Sequence, residues 1–247
     1  ACALIQVGYL AYYPGDYVIA RARAEEGLVR SREINDKKVM SLALHTLGSV
    51  ALQQGEFATA RALWEECLAL RREVGDKYTI ADSLTVLGNL ALNQMNYAEA
   101  RARYEEGLVL AREGGRKVQI AILMGNLGAV ALNQRDHVSA RQMFAEALTV
   151  LRESGGNKRN IIAALVEFAG LGTAQEQWER ATRLSGAVEA LTEAIGTRMD
   201  REERVEHEHT ASAARTQLDR ATFNRLWKEG RAMTMERAIE YALEETG

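Results

Sequence analysis

Four glycines spaced 40 residues apart, Gly8, Gly48, Gly88 and Gly128, constrain this chain more than any other feature. Each follows a Val or Leu and opens the same helix-turn-helix pattern. The register holds through the unit. Gly15 and Gly55 fall at one turn position, Tyr17, Phe57, Tyr97 and His137 at the next helix start, and Ala20, Ala60, Ala100 and Ala140 three residues later. A period of this size means a stacked array, in which no unit buries its apolar face alone and neighbours share one core.

Within one unit the apolar spacing predicts helix A from about Val39 to Gln54 and helix B from about Phe57 to Glu73, with Leu44, Leu47, Ala51 and Leu63, Trp64, Cys67, Leu68 on the inward stripes. Glycine in mid-helix costs about 1 kcal/mol against alanine, so its recurrence needs a packing reason. Gly48 and its equivalents lack the side chain that would hold A and B apart, and the aromatic of helix B (Trp64, Tyr104, Phe144) fills the space beside them. A single proline in 247 residues agrees with long helices, and the fold class expected is all-α.

Net charge is −3, so no positive field is available to hold phosphate backbones, and direct nucleic-acid binding is not expected. The two cysteines, Cys2 and Cys67, make no disulfide framework, and no apolar run approaches the roughly 20 residues that cross a bilayer. A cytoplasmic protein without membrane contact is expected. The chain opens on Ala1, and Ala1-Cys2-Ala3-Leu4 already reads as helix-A sequence, so a piece of a longer protein is expected.

Leu-Gly at the seventh and eighth positions, a small residue at 11, aromatics at 17 and 24, Ala at 20 and a small residue at 27 together resemble the tetratricopeptide repeat. Units fall at about 1–36, 39–76, 79–116 and 119–156, with a looser fifth at about 159–196 that keeps Trp178 and Ala181 but lacks the Leu-Gly pair at the expected place. The usual tryptophan at position four is Leu44, Leu84 or Met124, and the closing proline is missing. The resemblance implies a right-handed superhelix, an α-α solenoid of about five repeats over residues 1–196, with 197–247 as a helical cap. For that cap Phe223, Leu226, Trp227 and Ile239 supply apolar cover, and Thr234 is placed to N-cap the last helix.

The resemblance also implies a peptide-binding groove along helix A. Carried onto this sequence, its lining includes Tyr9 and Tyr13, then His45, Ser49 and Gln53, then Asp82, Thr85, Asn89 and Asn93, then Asn133. Gln53, Asn93 and Asn133 form an amide ladder suited to the backbone of an extended segment. No basic residue recurs at these positions, so capture of a C-terminal carboxylate is not expected.

Two charge rhythms accompany the repeats. Arg21, Arg61 and Arg101 each precede a glutamate by four residues (Glu25, Glu65, Glu105), a spacing expected to staple helix B by about 0.3–0.5 kcal/mol per pair. Arg32-Glu33, Arg72-Glu73, Arg112-Glu113 and Arg152-Glu153 mark helix ends.

Chemistry is sparse. No Gly-Lys-Ser/Thr phosphate loop is present, and Gly114-Gly115-Arg116-Lys117 lies in a turn. His207 and His209, two apart on a helix, point in different directions and do not share a metal. Cys67 occupies a packed small position and reads as an inert thiol. No cofactor, metal or catalytic residue is expected.

The run from Arg183 to Leu191, then Glu193 to Gly196, Phe223 to Trp227, Glu229 to Thr234 and Ala238 to Ala242 resembles the C-terminal end of large bacterial regulators. Those place a signal-transduction ATPase of the STAND type, or a LuxR-like DNA-binding domain, ahead of tetratricopeptide repeats. That implies a non-enzymatic sensor or regulatory arm whose partner is a peptide, a protein segment or the parent's own missing domain. The alternative is a free-standing adaptor that assembles complexes or self-associates through its N-terminal face.

Overall fold

A computed structural model describes residues 16–155 and 157–244. Among these residues there are twelve helices: α1 (Tyr17–Glu33), α2 (Lys37–Gln53), α3 (Phe57–Val74), α4 (Lys77–Asn93), α5 (Tyr97–Glu113), α6 (Lys117–Asn133), α7 (His137–Glu153), α8 (Lys158–Ala174), α9 (Trp178–Ala194), α10 (Arg201–Gln217), α11 (Arg220–Arg231) and α12 (Met235–Leu243). No strand occurs among them, and the all-α expectation holds. None is long and apolar enough to cross a membrane. Gly8, Gly15, Tyr9 and Tyr13 lie outside the described residues. The chain divides into two compact units, Ala1–Arg116 and Lys117–Gly247.

Helix starts are set by short acceptor side chains. In the first unit Asp36 Oδ1 accepts from Val39 N at 3.1 Å, and Asn96 Oδ1 from Glu99 N at 3.3 Å. Each satisfies an amide that the first turn would otherwise leave unpaired. Between helices A and B one residue must adopt a left-handed conformation. Gly55 does so at φ 77°, but the next repeat uses Met95 at φ 57°, where a β-carbon crowds the backbone.

In the first unit α2 pairs with α3 and α4 with α5, while α1 packs on α2 and α3 on α4. The expected small-against-large contact is present. A β-carbon on Gly48 would come 2.6 Å from Trp64 Cδ1, and one on Gly88 would come 2.7 Å from Tyr104 Cδ1. Ala20, Ala60 and Ala100 are fully buried where adjacent helices close up. Around them Trp64, Leu68, Leu84, Leu87 and Leu90 form a continuous apolar core spanning α3 and α4.

The surface arginines behave differently from the expectation. Arg21 pairs with Glu56 at 3.1 Å and Arg61 with Glu99 at 2.6 Å, each reaching the following repeat instead of the glutamate one turn on. Arg32–Glu66 and Arg72–Glu106 bridge repeats in the same way, while Lys37–Glu73 and Lys77–Glu113 tie the two helices of one repeat together. The reason is geometric: stacking brings another helix's carboxylate within reach of the long side chain. These exposed pairs are worth about 0–1 kcal/mol each.

In the second unit α6 pairs with α7 and α8 with α9. Gly128 repeats the device against Phe144, whose Cδ1 would lie 2.6 Å from an added β-carbon. The fifth pair forms without a Leu-Gly step at the equivalent position, where Phe168-Ala169 stand. There Gly172 meets Ala181 across the pair, with 3.4 Å between an added β-carbon and Ala181 Cβ, and Phe168 fills the centre against Phe144 at 6.0 Å between rings.

Beyond it α10 packs on α8 and α9, and α11 on α9. The α9–α11 crossing is backbone against backbone, because Gly186 lies against the Trp227 carbonyl and Gly230 against that of Arg183. Phe223, Leu226 and Ile239 are buried, and Trp227 is half-buried. Thr234 Oγ1 accepts from Arg237 N at 3.2 Å, the cap anticipated at the start of α12.

The end of α12 is held by arginines. Arg180, itself buried, donates through Nη2 to the carbonyls of Tyr241 (2.7 Å), Ala242 (2.8 Å) and Glu244 (3.0 Å). Arg141 adds bonds to the carbonyls of Leu243 and Glu244. Cations at a helix C-terminus meet both its unpaired carbonyls and its negative dipole end.

Candidate functional site: the A-helix face of the first unit

Residues four apart on a helix share a face, and α2 presents His45, Ser49 and Gln53 while α4 presents Asp82, Thr85, Asn89 and Asn93. Gln53 and Asn93 are exposed at the helix ends, and the others are half-buried. The two helices meet where His45 Nδ1 stands 3.8 Å from Asp82 Oδ2.

Several of these side chains are already turned inward. Ser49 Oγ donates to the His45 carbonyl at 3.0 Å and Thr85 Oγ1 to that of Ala81 at 2.8 Å, so both hydroxyl protons are spent on their own helices. Asn89 is held by a neighbour: the Tyr104 hydroxyl donates to its Oδ1 at 2.8 Å, which fixes the orientation of the amide. The aromatic column thus does two jobs. In the preceding repeat the Trp64 indole donates instead to the His45 carbonyl, at 3.3 Å.

Beneath the face lies a buried cation. Arg71 of α3 is 5% exposed and donates through Nη1 to Thr79 O (2.7 Å), Asp82 Oδ2 (2.8 Å) and Ser83 Oγ (2.8 Å). It therefore fixes Asp82 from below. Cys67 continues the network, its thiol donating to Ser41 O at 3.1 Å, and burial pushes the thiol's pKa up, which agrees with an inert role. His45 Nδ1 is buried without a hydrogen-bond partner. Burial lowers the pKa of His45 most, Asp82 opposes that and Arg71 adds to it, so the imidazole is neutral at pH 7.

Sequence reasoning missed Arg71. The signal was its column: the 40-residue period carries position 71 to Ser31, Ala111 and Leu151, all buried, so an arginine there departs from the rule. Tyr104 was read only as packing, and its hold on Asn89 is set by the tertiary approach of α5 to α4. Asn133 belongs to the second unit, where its amide donates to Ala129 O at 2.8 Å on its own helix. Tyr9 and Tyr13, the remaining expected lining, fall outside the described residues. Among the described residues no group of three His, Cys, Asp or Glu side chains is arranged to hold a metal.

No curated protein matches the sequence. Among solved structures, BtubC (BKLC) from P. vanneervenii superposes with a TM-score of 0.65 at 17% identity, covering 79% of this chain and 81% of that one. The apo form of RapI superposes with a TM-score of 0.61 at 11% identity, over 96% of this chain and 97% of its own. A putative kinesin light chain with TPR-like repeats from Podosopora anserina gives 0.61 at 13%, over 78% and 95%. At such identities the likeness is one of fold. The tetratricopeptide repeat family model matches residues 39–113, the stretch that holds α2 to α5 and the polar face they carry.

Proposed function

We propose that this chain is a non-enzymatic protein-interaction module that takes an extended protein segment along the A-helix face of its first unit. The observation that carries the reading is Asn89, a side-chain amide held in one orientation by the Tyr104 hydroxyl on a half-buried face. A pre-oriented amide reads a peptide backbone whatever its side chains, and ordering it beforehand lowers the cost of binding. Asp82, held from below by Arg71 and 3.8 Å from the neutral His45 imidazole, adds a polar step beside it.

The larger role we propose is that of a sensor or regulatory arm in a bacterial signal-transduction ATPase or transcriptional regulator, supported by the likeness of the stretch from Arg183 to Ala242 to the ends of such proteins. Reading the frame upstream of Ala1 tests it: a phosphate-binding ATPase or a DNA-binding domain supports the arm, and a nearby start codon overturns it in favour of a free-standing adaptor.

Peptide display against residues 1–247 tests the face itself. Selected peptides should lose about tenfold or more in affinity on Asn89→Ala, the scale of one or two lost hydrogen bonds. Peptides that bind Asn89→Ala, His45→Ala and the parent alike would place recognition elsewhere.

A further inference from the structure

In the second unit α8 is gripped on two sides: it rests on α6 and α7, and its own partner α9 closes over it. α10 begins the same way, resting on α8 and α9, but the helix that follows does not close over it. α11 packs on α9 instead and barely touches α10. α10 is thus placed like an A helix yet held from one side only.

The side that is held brings little apolar cover. α8 buries Ile161, Ile162, Leu165, Val166, Phe168 and Leu171, whereas the buried residues of α10 are Thr210, Ala211 and Ala214. Burial free energy scales with apolar area, and two alanine methyls supply a small part of what Leu165 and Phe168 supply. Val205, the one large aliphatic residue of α10, is 57% exposed. Two polar atoms of the helix are enclosed without a hydrogen-bond partner, Oγ1 of the fully buried Thr210 and Nδ1 of His207. Each weakens the docking, because water bonds the atom once the helix moves away.

What fastens α10 sits at its N-terminal end and is ionic. Arg159 of α8 donates to both oxygens of Glu203 and stands 3.5 Å from Asp200 Oδ2. The same two carboxylates form the capping box of α10, Asp200 Oδ1 accepting from Glu203 N at 2.9 Å and Glu203 Oε2 from Asp200 N at 3.0 Å. One turn on, Glu206 lies over Gly170 of α8, where the missing side chain leaves it room.

We infer that α10 is a displaceable clasp, which leaves α8 and α9 while the rest of the second unit stays folded, with the Arg159–Glu203 pair setting how often it opens. Its neighbour α11 is fastened to α9 on its own account, burying Phe223 and Leu226 and setting Gly230 against the Arg183 carbonyl. The chain between Gly196 and Asp219 therefore opens as one segment. Opening removes the last A helix from the second unit and uncovers the flank of α8 around Gly170.

Amide hydrogen exchange of the whole chain, followed by mass spectrometry, tests the clasp. In the parent, amides of residues 205–217 should exchange about tenfold or more faster than those of α9, and raising salt from about 0.05 to about 0.5 M should widen the ratio. Arg159→Gln should speed α10 about tenfold without changing α6 and α7. Thr210→Val, which replaces the unpartnered hydroxyl with a methyl of the same shape, should slow α10 about fivefold. That slowing is decisive, since a substitution that merely damaged the fold would not protect one helix. Exchange of α10 at the rate of α9, equal acceleration of every helix in Arg159→Gln, or faster exchange of α10 in Thr210→Val would each overturn the assignment. The clasp shares no residue with the first unit's face, so its failure leaves that proposal standing.

Discussion

Gly48 lies against the indole of Trp64 so closely that the two positions cannot both carry a side chain of ordinary size. Gly48→Ala gains helix propensity of about 1 kcal/mol but must push Trp64 out of its rotamer and off the His45 carbonyl, and such overpacking costs about 1–3 kcal/mol. Net destabilisation is expected, read as a lower urea midpoint for the chain. An alanine variant as stable as the parent would mean that the helix pair opens freely, against the contact described.

Met95 holds a left-handed backbone that Gly55 adopts at the equivalent turn. Its side chain is 75% exposed, so it contributes little packing there. Met95→Gly should stabilise the first unit by about 1 kcal/mol, the cost of a β-carbon in that conformation less the extra freedom glycine has when unfolded. Thermal unfolding of the two proteins side by side checks the sign.

His45 makes stability depend on pH. Its pKa in the folded chain lies below the ordinary 6.5, chiefly through burial. As pH falls through 6.5 the unfolded chain takes up the proton first, so stability is full above that value and declines towards the lower folded pKa. Denaturant midpoints at pH 7.5 and 5.5 should differ by less in His45→Gln than in the parent. His207 is also lowered by burial and contributes its own part, which that variant retains.

Arg180→Gln removes a cation from three carbonyls at the end of α12, at about 2–3 kcal/mol for charge-assisted bonds to groups left poorly solvated. The effect should be local. Amide hydrogen exchange across residues 235–243 should accelerate while α6 and α7 keep their protection; uniform acceleration would mean that α12 does not open on its own.

Periodicity made most of the fold readable, because the Gly48–Trp64 contact and the buried Ala60 column are written at fixed intervals. The α8–α9 pair was recognisable only from Trp178 and Ala181, since Gly172 does by other means what Leu-Gly does elsewhere. The charge pairing was misread for a physical reason. Spacing of four tells which side chains are neighbours on one helix, but Arg21 and Arg61 reach carboxylates whose nearness is created by stacking. That His45, Asp82 and Asn89 lie on A helices followed from the period, whereas the hydrogen bonds they make did not. Tyr104 looked like packing, and Arg71 carried no expectation at all.

The two arginines at the end of α12 grip main-chain carbonyls, which every residue type supplies. Substitution at exposed Glu244 can alter the side chain presented there without touching the grip itself, whereas Ala242 is fully buried and the Tyr241 ring lies under the Arg180 guanidinium. Only a change that moves the helix terminus, such as a one-residue insertion within Met235–Leu243, would take the carbonyls out of reach. The attachment thus measures length, and lettering is free only at exposed Glu236, Arg237, Glu240 and Glu244, where the outer surface can be rewritten while α12 stays fastened to α7 and α9.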